Sequence, residues 1–154
     1  MRIVVQPSGP LHGEVQVPGA KNSVLKLMAA TLLAEGDYEF TNVPAIDDVD
    51  TMGDLIGALG VSAARSGTHG LTLCNHGNIT PVAPFEQVDR IRSSINVLGP
   101  LLARFGSAEI AMPGGDNFGS RPINWHISGL EAMGATFELT DAGVKATAPC
   151  LPTV

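Results

Sequence analysis

The chain has 154 residues, 44% of them hydrophobic, enough for one domain with a sizeable core. Nine basic against fifteen acidic residues give a net charge of −6 and a pI near 5.0. That balance argues against nonspecific nucleic-acid binding, no apolar run is long enough to span a bilayer, and the opening MRIVVQPSGP lacks a signal peptide's apolar core and cleavage site.

In chain order, the first alternating stretch is EVQV (Glu14–Val17), predicted as a strand with one apolar face. It leads into VPGAKNSVLK, where Gly19, Lys21 and Asn22 stand between that strand and a helix over Val24–Ala34. The helix carries apolar residues around most of its cylinder, so burial on nearly all sides is expected. Tyr38–Val43 is the next alternating strand. DVDTMGDLIGALG follows as an amphipathic helix, with acids in its first turn and Gly60 at its end. Ala58–Leu73 then reads as a helix end followed by two strands.

The same order returns about 70 residues later, which suggests one supersecondary unit used twice, over roughly 10–80 and 81–150. A second buried helix spans Ile91–Phe105, with Pro100 expected to bend or break it. A strand follows at Ala108–Met112, and then the glycine-rich stretch MPGGDNFGSRP. RPINWHISGLEAMG is the second amphipathic helix, with Ser120 as a plausible N-cap, Pro122 at the first helical position and Gly134 past the end. Thr136–Thr140 closes the series as an alternating strand. Buried helices with half-wet sheets outside them give an inside-out α/β architecture.

Two cysteines, Cys74 and Cys150, follow no metal-ligand spacing and read as reduced thiols of a cytoplasmic protein. The histidines form no HxxxH pair, so no metal or other cofactor is expected. Charged residues make up only 16%, against roughly 25% in ordinary soluble domains, which hints at a surface that faces another domain.

Lys21, Arg92 and Arg121 each stand at a helix start, where a cation works against the macrodipole. Each has a plain reading as a solvated surface charge. Together they suit helix ends gathered around a polyanion. Asp116, in the glycine-rich stretch, is either an Asx-turn acid or a general acid beside the bound anion.

GEVQVPGAKNSVLKLMAATLLAEG, NVPAIDDVDTM, RSSINVLGPLLARFG and MPGGDNFGSRPINWHISGLEAMGAT resemble the enolpyruvyl transferases over nearly the whole chain. The Ala20-Lys21-Asn22 sequence points to the branch that acts on a UDP-sugar, since the shikimate 3-phosphate branch has Ser-Lys-Ser there. The resemblance implies an inside-out α/β barrel of three units per domain, of which this chain would hold about two. The first few residues would belong to the other domain. It implies phosphoenolpyruvate and a uridine nucleotide or nucleotide-sugar as partners, with no nucleic acid and no membrane.

By that resemblance Lys21 and Arg121 contact phosphoenolpyruvate with Asn22 beside them, and Arg92 reaches the nucleotide-sugar. Arg121, Pro122, Ile123, Asn124 and Trp125 line the uridine site. Asp116 takes the place of a cysteine that assists protonation at C3 of phosphoenolpyruvate. Asn124 and Trp125 depart from the family pattern, which usually has an aspartate and a smaller residue there, and leave two acceptors open: a UDP-sugar, or a uridine nucleotide in nucleoside-antibiotic synthesis. The family's general base falls beyond residue 154. A chain without turnover of its own is therefore expected, associating with the missing C-terminal portion or with itself.

Overall fold

A computed structural model describes residues 3–114, 123–140 and 143–149. The first helix, α1, spans Lys21–Ala30 and runs on as a 3-10 turn over Thr31–Leu33. Val24, Leu25, Met28, Ala29 and Leu32 are buried, but Leu27 and Leu33 on the opposite side are half exposed. Burial on nearly all sides is thus corrected for this helix, which has an apolar face with nothing over it among the described residues. Its C-terminal carbonyls are satisfied from a distance: the buried Asn75 donates through Nδ2 to the Thr31 and Ala34 carbonyls, both at 2.8 Å.

Strand β1 (Gly36–Phe40) starts and ends earlier than the alternation predicted. Helix α2 (Asp47–Leu59) matches its expected span, with Asp47, Asp48 and Asp50 in the first turn. It stops at Gly60, whose φ of 113° is open to glycine and strained for other residues. The Gly60 N–H donates to the Gly57 carbonyl and the Val61 N–H to that of Ile56, at 3.0 and 3.1 Å, a Schellman closure. Strands β2 (Ser62–Ser66) and β3 (Gly70–Asn75) then form a hairpin.

The second half begins with the short strand β4 (Val82–Ala83) and the single helical turn α3 (Phe85–Val88). The predicted helix Ile91–Phe105 is two pieces, a 3-10 helix over Arg92–Val97 and helix α4 over Leu98–Phe105. Pro100 decides the break. As the third residue of α4 it falls in a first turn, where its missing N–H has no intrahelical partner to lose. Strand β5 (Ser107–Ala111) follows, then helix α5 (Asn124–Ala132) and the hairpin β6 (Thr136–Thr140) with β7 (Gly143–Thr147). Helix α5 opens at Asn124 with Ile123 at the N-cap position, so it starts later than the Pro122 start expected. Ser120 and Pro122 lie outside the described residues.

One three-stranded sheet has the order β1-β3-β2 and the other, four-stranded, the order β4-β5-β7-β6. The trio β5-β7-β6 repeats the connectivity and antiparallel sense of β1-β3-β2, and β4 adds a parallel strand to β5. The class is α/β, as expected. Both sheets are open and no barrel closes among the described residues. One further expectation fails: Glu14–Val17 forms no strand and stays exposed. Its alternation supplies an apolar face, but no neighbouring strand among the described residues offers a hydrogen-bond ladder, and a lone strand has no stability of its own.

The two halves share one buried cluster, which takes in Leu25, Met28, Met52 and Leu55 from the first and Ile95, Leu98, Leu101 and Ile110 from the second. Arg104 fastens them at one end, donating through Nη1 to the Leu32 carbonyl at 3.0 Å and through Nη2 to Glu35 at 3.2 Å. No helix is long and apolar enough to cross a membrane among the described residues.

Candidate functional site

Gly19 sets the entry into α1. A Cβ at this position would stand 1.9 Å from the Asn42 carbonyl oxygen, so only glycine lets the chain press against the link between β1 and α2. Lys21 follows as the first helical residue, with Ala20 at the N-cap position and no side-chain cap. The first turn holds no acid of its own. The positive end of α1 therefore carries a lysine and uncapped N–H groups, an arrangement that disfavours the empty helix and favours an anion.

Helix α2, packed against α1, supplies the local counter-charge. Lys21 Nζ lies 2.6 Å from Asp48 Oδ2, with both side chains partly exposed. Solvent-screened pairs of this kind contribute at most about 1 kcal/mol, so the contact holds the ammonium in place without locking it. The neighbouring acids are taken by other cations: Asp50 pairs with Arg65 and Asp54 with Arg90, both at 2.8 Å. Arg90 is thereby held at the surface by an acid of α2. Asn22 is exposed on the same first turn as Lys21.

Arg92 opens the 3-10 helix that packs on α1. Its side chain is half-buried and Nη1 donates to the Pro113 carbonyl at 3.1 Å. Next to that contact Gly114 is pressed against Asp89, where a Cβ would stand 2.0 Å from the carbonyl oxygen. Arg92 thus steadies the stem of the glycine-rich stretch, and Pro113 is its one hydrogen-bond partner among the described residues. Spacing alone gave no sign of this second duty. Asp116, Arg121 and Pro122 lie outside the described residues.

Beyond that stretch, Ile123 is buried in the core, so its side chain faces no open cleft. Asn124 is exposed and Trp125 is 83% exposed at the start of α5. Trp125 and His126 share an open groove of about 360 Å³ with Ile95, Asn96, Leu98 and Gly99. The 3-10 helix that begins at Arg92 therefore packs on α1 and shares a groove with the start of α5. It links the Lys21 region to the Asn124–Trp125 region.

Cys74 is no nucleophile in waiting. A hydrogen bond to Asp37 holds its thiol above the ordinary value, helped by burial and by the Asp37 charge, while Ser62 opposes the shift. The thiolate form is disfavoured accordingly.

The profile of the EPSP synthase (3-phosphoshikimate 1-carboxyvinyltransferase) family matches residues 5–150. A UDP-N-acetylglucosamine 1-carboxyvinyltransferase of Myxococcus xanthus (strain DK1622) is 46% identical over 150 residues, which cover 96% of this chain and 36% of the relative. Its counterpart from Jannaschia sp. (strain CCS1) is 47% identical over 147 residues, 94% of this chain and 35% of the relative. The chain spans about a third of the length of both. Among solved structures, the enolpyruvyl transferase NikO from Streptomyces tendae superposes with a TM-score of 0.73 at 26% identity, over 90% of this chain and 30% of that one. An EPSP synthase from Acinetobacter baumannii shares the fold, with a TM-score of 0.64 at 23% identity over 89% of this chain and 32% of its own. With the uncapped Lys21 terminus, the twice-used sheet connectivity and a profile match across nearly its whole length, the chain belongs to the EPSP synthase family of enolpyruvyl transferases.

Proposed function

We propose that this chain is an N-terminal, substrate-binding part of a cytoplasmic UDP-N-acetylglucosamine 1-carboxyvinyltransferase. The whole protein would move the enolpyruvyl group of phosphoenolpyruvate to the sugar hydroxyl and release phosphate, a step in peptidoglycan precursor synthesis. One observation carries the reading: identity of 46–47% to two relatives of that name over nearly the whole chain. The chain would contribute two of three units of an inside-out α/β barrel, over about 10–80 and 81–150.

In this reading Lys21 and Arg121 neutralise the phosphate and carboxylate of phosphoenolpyruvate, and Asn22 hydrogen-bonds beside them. The Lys21–Asp48 pair supports it, because a screened ion pair can be shared with an incoming anion. Arg92 reaches toward the nucleotide-sugar from the stem it steadies. Pro122, Ile123, Asn124 and Trp125 line the uridine site, Ile123 through its backbone. Asp116 delivers a proton to C3 of phosphoenolpyruvate as the sugar oxygen bonds to C2. A carboxyl near bound anions has a raised pKa and so retains that proton near neutral pH. The base that removes the hydroxyl proton would come from the rest of the protein, and the isolated chain would bind without turning over.

A second acceptor, a uridine nucleotide in nucleoside-antibiotic synthesis, is favoured by Asn124 and Trp125. Asparagine presents both donor and acceptor where an aspartate only accepts, which changes what the uracil edge meets. Isothermal titration with UDP-N-acetylglucosamine, UMP and phosphoenolpyruvate separates the readings. Heat with the nucleotide-sugar that is lost in Arg92→Ala supports the first. Binding of UMP with no gain from the sugar supports the second. No heat with any of the three overturns both and leaves a non-catalytic module.

A further inference from the structure

Two helix starts of opposite charge meet at the candidate site. The first turn of α1 holds Lys21 and no acid, while the first turn of α2 holds Asp47, Asp48 and Asp50. Two of those acids are paired, and the pairs differ. Asp50 holds Arg65 of β2, which also donates through Nη1 to the Pro44 carbonyl at 3.4 Å and has a side chain 28% exposed. Asp48 holds Lys21 at 2.6 Å, and the lysine side chain is 50% exposed. Arg65 is anchored twice, and Lys21 is tethered through one contact at the tip of a flexible stem.

The backbones on both sides of the Lys21–Asp48 contact are fixed. Helix α1 packs on α2, and Gly19 is pressed against the Asn42 carbonyl of the link between β1 and α2. Asp48 therefore cannot retreat with its helix, and only the Lys21 side chain can swing. A phosphate arriving at the start of α1 gains the ammonium and the uncapped N–H groups. It must also draw Lys21 away from a carboxylate that stays behind as a nearby negative charge. The same carboxylate is waiting when the phosphate leaves.

We propose that Asp48 is a built-in competitor for phosphate. It holds Lys21 while the site is empty, yields it to the phosphate of an incoming ligand, and takes it back as phosphate departs. The assignment rests on the reading of Lys21 as a contact for the phosphate of phosphoenolpyruvate. It bears on the end of that reaction, where inorganic phosphate must be released from a helix terminus whose own charge favours keeping it. Asp48 sets how weakly the product is held.

Inorganic phosphate is the probe, titrated into the chain at constant ionic strength. The backbone amides of Lys21 and Asn22, which have no acceptor within α1, report its binding in nitrogen–proton correlation spectra. Asp48→Asn is expected to bind phosphate about two- to fivefold more tightly than the parent, the range that a screened ion pair allows. The gap is expected to narrow as sodium chloride is raised, because salt weakens the pair that phosphate has to open. Asp50→Asn makes the same change of net charge on the same turn but frees Arg65 instead, and is expected to keep the parent's affinity. Should Asp48→Asn lose its far-UV circular dichroism, Asp48→Ser, which keeps a side chain suited to a helix start, replaces it. Weaker binding in Asp48→Asn overturns the proposal, since Asp48 would then orient Lys21 for the ligand. So does a gain that Asp50→Asn equals. Lys21→Gln keeps two failures apart. If it binds phosphate as the parent does, Lys21 is no phosphate contact and the competitor falls with that reading. If it loses the response while Asp48→Asn shows no gain, the competitor alone falls. A parent whose Lys21 and Asn22 amides ignore phosphate overturns both.

Discussion

Helices α2 and α5 occupy corresponding places in the two halves, and they differ in what surrounds them. Both end in the same Schellman closure: Val61 donates to Ile56 behind Gly60, and Ala135 donates to Leu130 behind Gly134. Both precede an antiparallel hairpin on the same side of a sheet. Yet α2 buries five apolar side chains and α5 none. Local sequence suffices to form and stop each helix. Burial depends on the next piece of chain, and α2 has the second half to cover it. The difference teaches that a repeated unit inherits its shape from its sequence and its stability from its neighbour.

The largest expected effect tests that contrast directly. Leu55→Ala, within the fully enclosed face of α2, is expected to cost about 2–5 kcal/mol in urea unfolding, through lost burial and the cavity left behind. Met133→Ala, at the end of α5, is expected to stay within about 0.5 kcal/mol. Equal losses at the two sites would break the comparison.

A middle-sized effect compares the two caps. Gly60→Ala would force a β-carbon to 2.1 Å from the Asn78 carbonyl oxygen at a φ of 113°, a strain of about 3 kcal/mol. Gly134→Ala has its nearest atom at 3.9 Å and pays only for the left-handed backbone, about 1 kcal/mol. Thermal melting of the two variants reads the difference, and the order reversed would mean that the caps do not differ in crowding.

The smallest concerns the two sheets. Asp37 and Cys74 are register partners on β1 and β3, whereas the corresponding partners on β5 and β7 are Ala108 and Ala146. Only the first sheet therefore carries a titrating pair at this place. Folding raises the Cys74 pKa, so its contribution to stability is present below the unfolded thiol's value and is lost as pH climbs through the folded one. In a Cys150→Ser background, iodoacetamide is expected to label Cys74 more slowly than a free cysteine at mildly alkaline pH. Asp37→Asn is expected to speed the labelling, and labelling unaffected by that change would remove Asp37 as the cause.

The helix-start features of the candidate site were legible because they are local. Lys21 at a helix start and Gly19 before it stand two residues apart in the sequence, and Asn124 and Trp125 are neighbours at the start of α5. The pairing of Lys21 with Asp48 and the grip of Arg92 on the Pro113 carbonyl span long separations and leave no trace in spacing. The four-residue alternation at Glu14–Val17 misled, because period alone carries no information about whether a partner strand exists.

By itself the sequence determined the helix stops at Gly60 and Gly134, the split that Pro100 imposes, the hairpins and the α/β class, since backbone sterics and side-chain period act over a few residues. Tertiary structure alone decided that, among the described residues, Leu27 and Leu33 of the first helical stretch stay half exposed, that neither sheet closes, and which cations already hold acids. Those outcomes depend on what packs beside each element. Burial and ion pairing are properties of neighbours in space, and a linear pattern encodes only the face on which a neighbour is wanted.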